Sequence, residues 1–225
     1  MKMNFYETLH GHKILDSQFW PKKLREYLIR EDIFLVENIK KDSTVLDIGS
    51  GGGRHLKLLS NSCKKIIGID NSKTMVDCTK KALSKCRNVI VLEVDVKYFK
   101  FPKDSFDFII CMFNTFGNMT VETQKICLDK MNELIKPDGI ILMSVYSEKA
   151  IDTQIEHYNK IGLIVRGSDE NFVYTEKFVS ERFSEGKIKR VVESRGLKIK
   201  NMVKFNEISF ILELEKGCFS SKSIV

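Results

Sequence analysis

The stretch Val45-Leu46-Asp47-Ile48-Gly49-Ser50-Gly51-Gly52-Gly53-Arg54-His55 decides how the rest of this 225-residue chain is read. An apolar run carrying one acid passes into glycines at alternate positions, and Leu56, Leu58 and Leu59 continue as an apolar helical face. Glycine lets the backbone approach a ligand where a Cβ would collide. The loop is therefore expected at a strand-to-helix junction, as a seat for a nucleotide-like cofactor.

Spacing separates two cofactor readings. The dinucleotide pattern G-x-G-x-x-G, counted from Gly49 and Gly51, needs glycine or alanine at position 54, where arginine stands. The pattern D-x-G-x-G-x-G, met by Asp47, Gly49, Gly51 and Gly53, instead resembles the first motif of class I S-adenosylmethionine-dependent methyltransferases. Charge agrees with that resemblance. S-adenosylmethionine carries a sulfonium and an ammonium and no pyrophosphate, so a carboxylate beside the loop attracts it. The expected product is S-adenosylhomocysteine.

Lys65 to Asp70 is a short β-branched run ending in an acid about twenty residues past the glycines, where nucleoside-binding α/β folds place an acceptor for the ribose hydroxyls. Asn71 or Ser72 suits the cap of the next helix. The resemblance implies that Asp70 holds the ribose and that Met75 lies against adenine. Asn88 to Val96 reads as a further buried strand; there the resemblance sets Asp95 against the adenine amine and the Val96 amide against a ring nitrogen. The candidates for cofactor binding are thus Asp47, Gly49, Ser50, Gly51, Gly53, Asp70, Asn71, Met75, Asp95 and Val96, with Phe113 and Trp20 as walls.

Phe106 to Asn114 is the longest apolar run, too short for a bilayer, which needs ~20 residues, and suited to a strand covered on both faces. Helical periodicity returns from Val121 to Ile135 behind a Thr120 cap, Pro137-Asp138-Gly139 stops it, and Ile140 to Tyr146 reads as a fifth strand. Strands alternating with helices imply a parallel sheet wound by right-handed crossovers. The Lys136-Pro137-Asp138-Gly139 turn before this strand also looks like the methyltransferase family, so the resemblance covers residues 42–146. It implies an α/β, Rossmann-like, doubly wound, mostly parallel seven-stranded sheet with an antiparallel C-terminal edge strand and an N-terminal helical lid.

Beyond it, a helix from Ala150 to Tyr158, half-exposed strands at 172–174 and 177–179, a helix through Ile188 and Val192 and strands at 197–199 and 208–214 are expected. The division is 1–41 lid, 42–217 methyltransferase domain and 218–225 flexible tail. The lid helix is placed at Pro21 to Ile29.

The substrate side is written less clearly. Methyltransferases acting on exocyclic amines of bases typically carry Asn/Asp-Pro-Pro-Tyr/Phe after the fourth strand. This chain has Cys111-Met112-Phe113-Asn114-Thr115-Phe116-Gly117-Asn118 and resembles small-molecule N- and O-methyltransferases. Tyr6, Asn114, Phe116 and Tyr146 are the substrate-binding candidates. Tyr146 and His157 are the candidates if the in-line displacement needs a base.

A net charge of +7 raises nucleic acid as a partner, yet lysines and arginines are scattered among nearly as many acids, and the cluster from Lys187 to Lys200 reads as a solvated face. A small-molecule acceptor is expected instead, with RNA or protein as the alternative acceptor and a non-catalytic cofactor-binding partner subunit as a third reading. No signal peptide or spanning segment is written, so a cytoplasmic protein, monomer or homodimer, is expected. The cysteines at 63, 78, 86, 111, 127 and 218 form no C-x-x-C pair and are expected reduced. His10-Gly11-His12 is too few ligands for zinc, so no metal is expected.

Overall fold

The computed structural model describes residues 5–217; Cys218 and the tail 218–225, like residues 1–4, lie outside them. Two helices, α1 (Leu9–Ile14) and α2 (Lys22–Asn38), precede the sheet. The chain then runs through β1 (Thr44–Ile48), α3 (Arg54–Leu59), β2 (Lys65–Asp70), α4 (Lys73–Ala82), β3 (Val89–Glu93), β4 (Phe106–Cys111), α5 (Val121–Leu134) and β5 (Ile135–Tyr146). It continues as α6 (Ile151–Ile161), three short strands β6 (Val165–Ser168), β7 (Phe172–Thr175) and β8 (Val179–Glu181), α7 (Glu185–Glu193), β9 (Leu197–Phe205) and β10 (Ser209–Lys216).

The seven-stranded sheet has the order β3-β2-β1-β4-β5-β10-β9. β1 to β5 pair in parallel, and β10 runs antiparallel to both β5 and β9. Residue alternation fills both faces. Val45, Ile66, Phe108, Ile110 and Leu142 pack under α2, α3 and α4 with Leu35, Leu56, Leu59 and Val76. Their neighbours Leu46, Ile67, Ile109, Ile141 and Met143 face the other way, against Leu128, Met131 and Leu134 of α5 and Ile188 and Val192 of α7. A one-residue slip would exchange the two faces, so the filled cores fix the register. The order reverses between β1 and β4, which opens a crevice at their carboxyl ends, the place where open α/β sheets bind ligands. The segment before β1 and α6 with its small three-stranded sheet share a separate apolar cluster that includes Phe5, Ile14, Tyr158, Ile161 and Val173.

Several expectations change. β3 is the outer strand, so Ile90 and Leu92 are exposed rather than buried. α5 stops at Leu134, short of the proline, because a residue before proline avoids helical backbone; residues 135–139 are drawn into β5, with a bulge opposite Phe106 and Phe108. The helix expected over Pro21 to Ile29 runs on to Asn38. Its buried stripe Leu24, Tyr27, Leu28, Glu31 and Leu35 keeps helical spacing throughout, and the acid at 31 hid that continuity. No helix among the described residues is long and apolar enough to cross a membrane.

Candidate active site

A cavity of about 280 Å³ opens at the carboxyl ends of the parallel strands. Two groups of residues line it. At the ends of β1, β2 and β3 stand the glycine loop, Asp70, Asn71, Asp95 and Val96; at the ends of β4 and β5 and across from them stand Phe113, Tyr146, Tyr6, Trp20, His157 and Tyr158.

The first group is built from backbone. Gly49 and Ser50 both donate their N–H to the Ile69 carbonyl, at 2.9 and 3.0 Å, which hooks the loop over β2. Gly49 has φ +74°, and a Cβ there would overlap the Thr115 methyl of the facing loop. Asp70 accepts from the Gly51 N–H and the Ser72 N–H, each at 2.8 Å. Burial raises its pKa, and those amides pull the other way. Ser72 caps α4. Asp47 is buried beneath the loop, its Oδ2 without a partner, and burial pushes its pKa up to about 6. The Ser50 hydroxyl is likewise unpartnered. Two orphaned polar groups beside a carboxylate-rim loop are what a cationic, hydroxyl-bearing ligand needs.

The second group is built from side chains of distant segments. Phe113 and Asn114 have φ +53° and +54°, in the left-handed region that favours glycine. Asn114 is fully buried: its Oδ1 accepts from the Tyr146 N–H at 2.9 Å, and its Nδ2 donates to Ser180 Oγ at 3.1 Å and the Glu181 carbonyl at 3.3 Å. The Phe113 N–H donates to Glu31 Oε1 and Ser144 Oγ, at 2.9 and 2.7 Å. Trp20 meets the Phe113 ring edge-on at 6.0 Å between centroids and donates its Nε1 to the Ile14 carbonyl at 3.2 Å. The Asn118 amide donates to the Tyr6 hydroxyl at 3.3 Å.

Glu31 ties the groups together. Fully buried on α2, it accepts from Tyr27 at 2.9 Å, Ser144 at 2.5 Å and Phe113, and it pairs with Arg54 and with His55 at 3.2 Å. Burial alone would raise its pKa, but Arg54, His55 and Ser144 hold it well below the usual carboxylate range. Asp32 adds a second carboxylate, 2.7 Å from Arg54. Glu31, Asp32 and His55 bring three possible metal ligands within 4.8 Å of one another, but the Arg54 guanidinium bonds both acids and already supplies the cluster's positive charge.

Not every expected site residue reaches the cavity. Asp47 and Gly53 lie under the loop; Gly53 heads α3 with φ +77°, where a Cβ would press on Thr79 at 2.5 Å. Met75 is buried in α4, outside the lining. Asn114 and Phe116 depart most from expectation. Asn114 spends its whole amide on holding the loop, and Phe116 is fully buried against Phe183 because the loop folds inward as a 3₁₀ turn. Glu31, Arg54, Asn118 and Tyr158 were not foreseen. Glu31 had one readable signal, its place on the apolar stripe of α2.

Known proteins share this fold. Residues 45–139 match the family model described as a methyltransferase domain. That segment and the sheet order around it are those of a class I S-adenosylmethionine-dependent methyltransferase. This methyltransferase is 22% identical over 197 residues to the ubiquinone/menaquinone biosynthesis C-methyltransferase UbiE of an Enterobacter species, covering 80% of this chain and 75% of that one. An uncharacterised protein of Methanocaldococcus jannaschii is 26% identical over 220 residues, 93% of this chain and 79% of that one. The fold is shared with a Burkholderia thailandensis 1,6-didemethyltoxoflavin-N1-methyltransferase bound to that substrate and S-adenosylhomocysteine; the TM-score is 0.66 at 14% identity, over 85% and 79% of the two chains. The methyltransferase is thus an enzyme, and S-adenosylmethionine is its cofactor.

Proposed function

We propose that this methyltransferase moves a methyl group to a nitrogen or oxygen of a small-molecule acceptor by in-line displacement. The observation that carries the reading is the second group of lining residues, Tyr6, Trp20, Phe113, Tyr146 and Tyr158, to which the N-terminal segment contributes Tyr6 and Trp20. Among the described lining residues Arg54 is the one strong cation, and it is engaged by Glu31 and Asp32. A phosphate backbone needs free Lys and Arg. The basic cluster at the C-terminal end offers few, since Lys187, Lys189, Arg195 and Lys198 pair with Glu181, Glu193, Asp129 and Glu215.

The glycine loop with Ser50, over the charge of Asp47 beneath it, would hold the amino-acid end of the cofactor, Asp70 and Asn71 its ribose, and Asp95 and Val96 its base. When bound, the cofactor supplies an activated methyl group. The chain's own task is to orient the acceptor, exclude water and align the attacking atom; positioning of this kind is worth up to ~7–11 kcal/mol of a barrier. Tyr146 serves as a wall, because burial pushes its pKa well above the ordinary value and keeps it protonated. We assign residues before β1 to the lid over this chamber.

The test is incubation of the full chain with methyl-labelled S-adenosylmethionine and a pooled metabolite extract. Label is expected in compounds of low mass. Label recovered only in RNA, with binding that weakens steeply as salt rises, would replace the small-molecule reading with the RNA one.

A further inference from the structure

We infer that the acceptor end of the cavity takes a flat, uncharged aromatic molecule bearing a hydroxyl group, and that His157 accepts the hydroxyl proton as the oxygen is methylated. The inference rests on the methyl-transfer reading above.

The first support is the wall. Tyr6, Trp20, Phe113, Tyr146 and Tyr158 line it, and aromatic rings pair with another ring at a gain of ~0.5–1.5 kcal/mol each. The carboxylates that line the cavity, Asp70 and Asp95, belong to the ends of β2 and β3, away from the ends of β4 and β5. A charged acceptor would be desolvated here, and Arg54, the one strong cation among the described lining residues, is already bonded to Glu31 and Asp32. Neutral polar contacts are available in their place, from tyrosine hydroxyls and from Asn118, whose buried Oδ1 has no partner.

The second support is His157. Its side chain is 1% exposed and lines the cavity, and its Nε2 has no hydrogen-bond partner. The Ile14 backbone, whose carbonyl receives Trp20, acts on the His157 ring as a hydrogen-bonding neighbour. A ring N–H committed to a backbone carbonyl leaves the lone pair on the second nitrogen. Burial lowers the pKa of His157 to about 4; Lys160 lowers it further and Glu156 opposes, both on its own helix, while the facing N-terminal segment presents the Ile14 carbonyl. The imidazole is therefore neutral at physiological pH and ready to accept. Its neighbours cannot take that role, since burial pushes Tyr158 up to about 12 and Tyr146 well above its ordinary value.

The step balances without a further reactant. A lone pair of the hydroxyl oxygen forms the new O–C bond as the S–C bond breaks, and the electron pair of that bond returns to sulfur. The oxygen, now with three bonds, becomes strongly acidic and passes its proton to Nε2, leaving a neutral methyl ether and an imidazolium that later yields the proton to water. A weakly basic imidazole is strong enough for that proton. It is too weak to deprotonate an alkylammonium, so the same group favours hydroxyl over aliphatic amine.

Three flat phenols, 2-naphthol, catechol and hydroquinone, test this with the full chain, alongside benzylamine as the amine and adenosine monophosphate as the anion. Calorimetry with S-adenosylhomocysteine comes first; if the wild-type chain does not bind it, the methyl-transfer reading itself falls. With it bound, at least one phenol is expected to bind and neither control to do so. The chain has four histidines, so imidazole ¹⁵N resonances are assignable by substitution, and the His157 Nε2 shift is expected to move on adding the phenol. In turnover, His157→Gln is expected to lower kcat about 10²–10⁴-fold with KM and S-adenosylhomocysteine affinity within about twofold. The wild-type rate should hold from pH 8 to about 5 and fall below, a limb the variant lacks. If S-adenosylhomocysteine binds but no phenol does, if benzylamine or the nucleotide is preferred, or if His157→Gln turns over as the wild type does, this inference alone is overturned. Should the variant not fold, the His157 shift in the wild-type chain decides.

Discussion

Two loops meet over the cavity, and both turn through left-handed backbone. The loop after β1 does so with glycines at 49, 51 and 53; the loop after β4 does so with Phe113 and Asn114. Glycine adopts that backbone with no steric cost, whereas other residues held there cost of order 1–3 kcal/mol each and persist only where surroundings impose it. The second loop is imposed upon from far away in sequence, by Glu31 and Ser144 on the Phe113 amide and by Tyr146, Ser180 and Glu181 on the Asn114 side chain. Glycines let the first loop take its backbone freely while β2 and α4 hold it, whereas the second loop takes the same backbone only because the fold around it imposes it. The first lines the cavity with backbone and the second with side chains held in place by distant segments.

The sharpest way to break the comparison is to remove the residue that supports the second loop. Glu31→Ala leaves Arg54 and His55 with a lost buried partner and frees the Phe113 amide. Breaking a buried pair from one side costs about 3–5 kcal/mol, expected as a fall in the urea midpoint with unchanged slope. If the variant melts like the wild type, the second loop does not depend on distant support.

That dependence explains which parts were legible in the sequence. Glycine spacing, the β-branched runs ending in Asp70 and Asp95 and the strand-helix alternation are local, and they carried the fold and the placing of the glycine loop, Asp70 and Asp95 around one cavity. Asn114 and Phe116 failed as substrate contacts because a loop residue's direction is set by partners more than sixty positions away, Ser180 and Glu181 for one and Phe183 for the other. Glu31 sits between apolar neighbours, and the eye counts it as a helix end when it is a buried anchor. β6 carries Arg166, Gly167 and Ser168, with little apolar alternation, so nothing in it marked a strand.

A smaller effect probes the first loop. Asp70→Ala removes an acceptor for the Gly51 and Ser72 amides, and a hydrogen bond to a charged group is worth about 1.5–3 kcal/mol. Affinity for S-adenosylhomocysteine is expected to fall roughly ten- to a hundredfold by calorimetry. An unchanged constant would remove Asp70 from the cofactor end and leave the glycines alone to define it.

The smallest effect separates stability from binding at one buried acid. Asp47 has a folded pKa pushed up to about 6 by burial, then by the charge of Asp70, with His55 and Arg54 opposing. A carboxyl raised above its unfolded value favours folding while it is protonated, so that contribution is complete below about pH 4 and is lost as pH rises through about 6. His157 has the opposite sign: lowered to about 4, it contributes above about 6.5 and loses that as pH falls through about 4. The two windows overlap and partly cancel, which hides both in a simple pH scan. Asp47→Asn removes one of them. The amide keeps the shape but leaves an unpartnered N–H, a cost of about 1–3 kcal/mol that offsets most of the relief from ionisation, so the net change above pH 6 is expected within about 1 kcal/mol. The slope changes more clearly: between pH 4 and 6 the variant should gain stability more steeply with pH than the wild type, because the His157 contribution is no longer opposed. Binding should move the other way, since the carboxylate that burdens the empty fold is the one whose charge meets a cationic cofactor. A variant with the wild-type slope and undiminished affinity for S-adenosylmethionine would mean that Asp47 is partnered by water and that the first loop needs only its glycines.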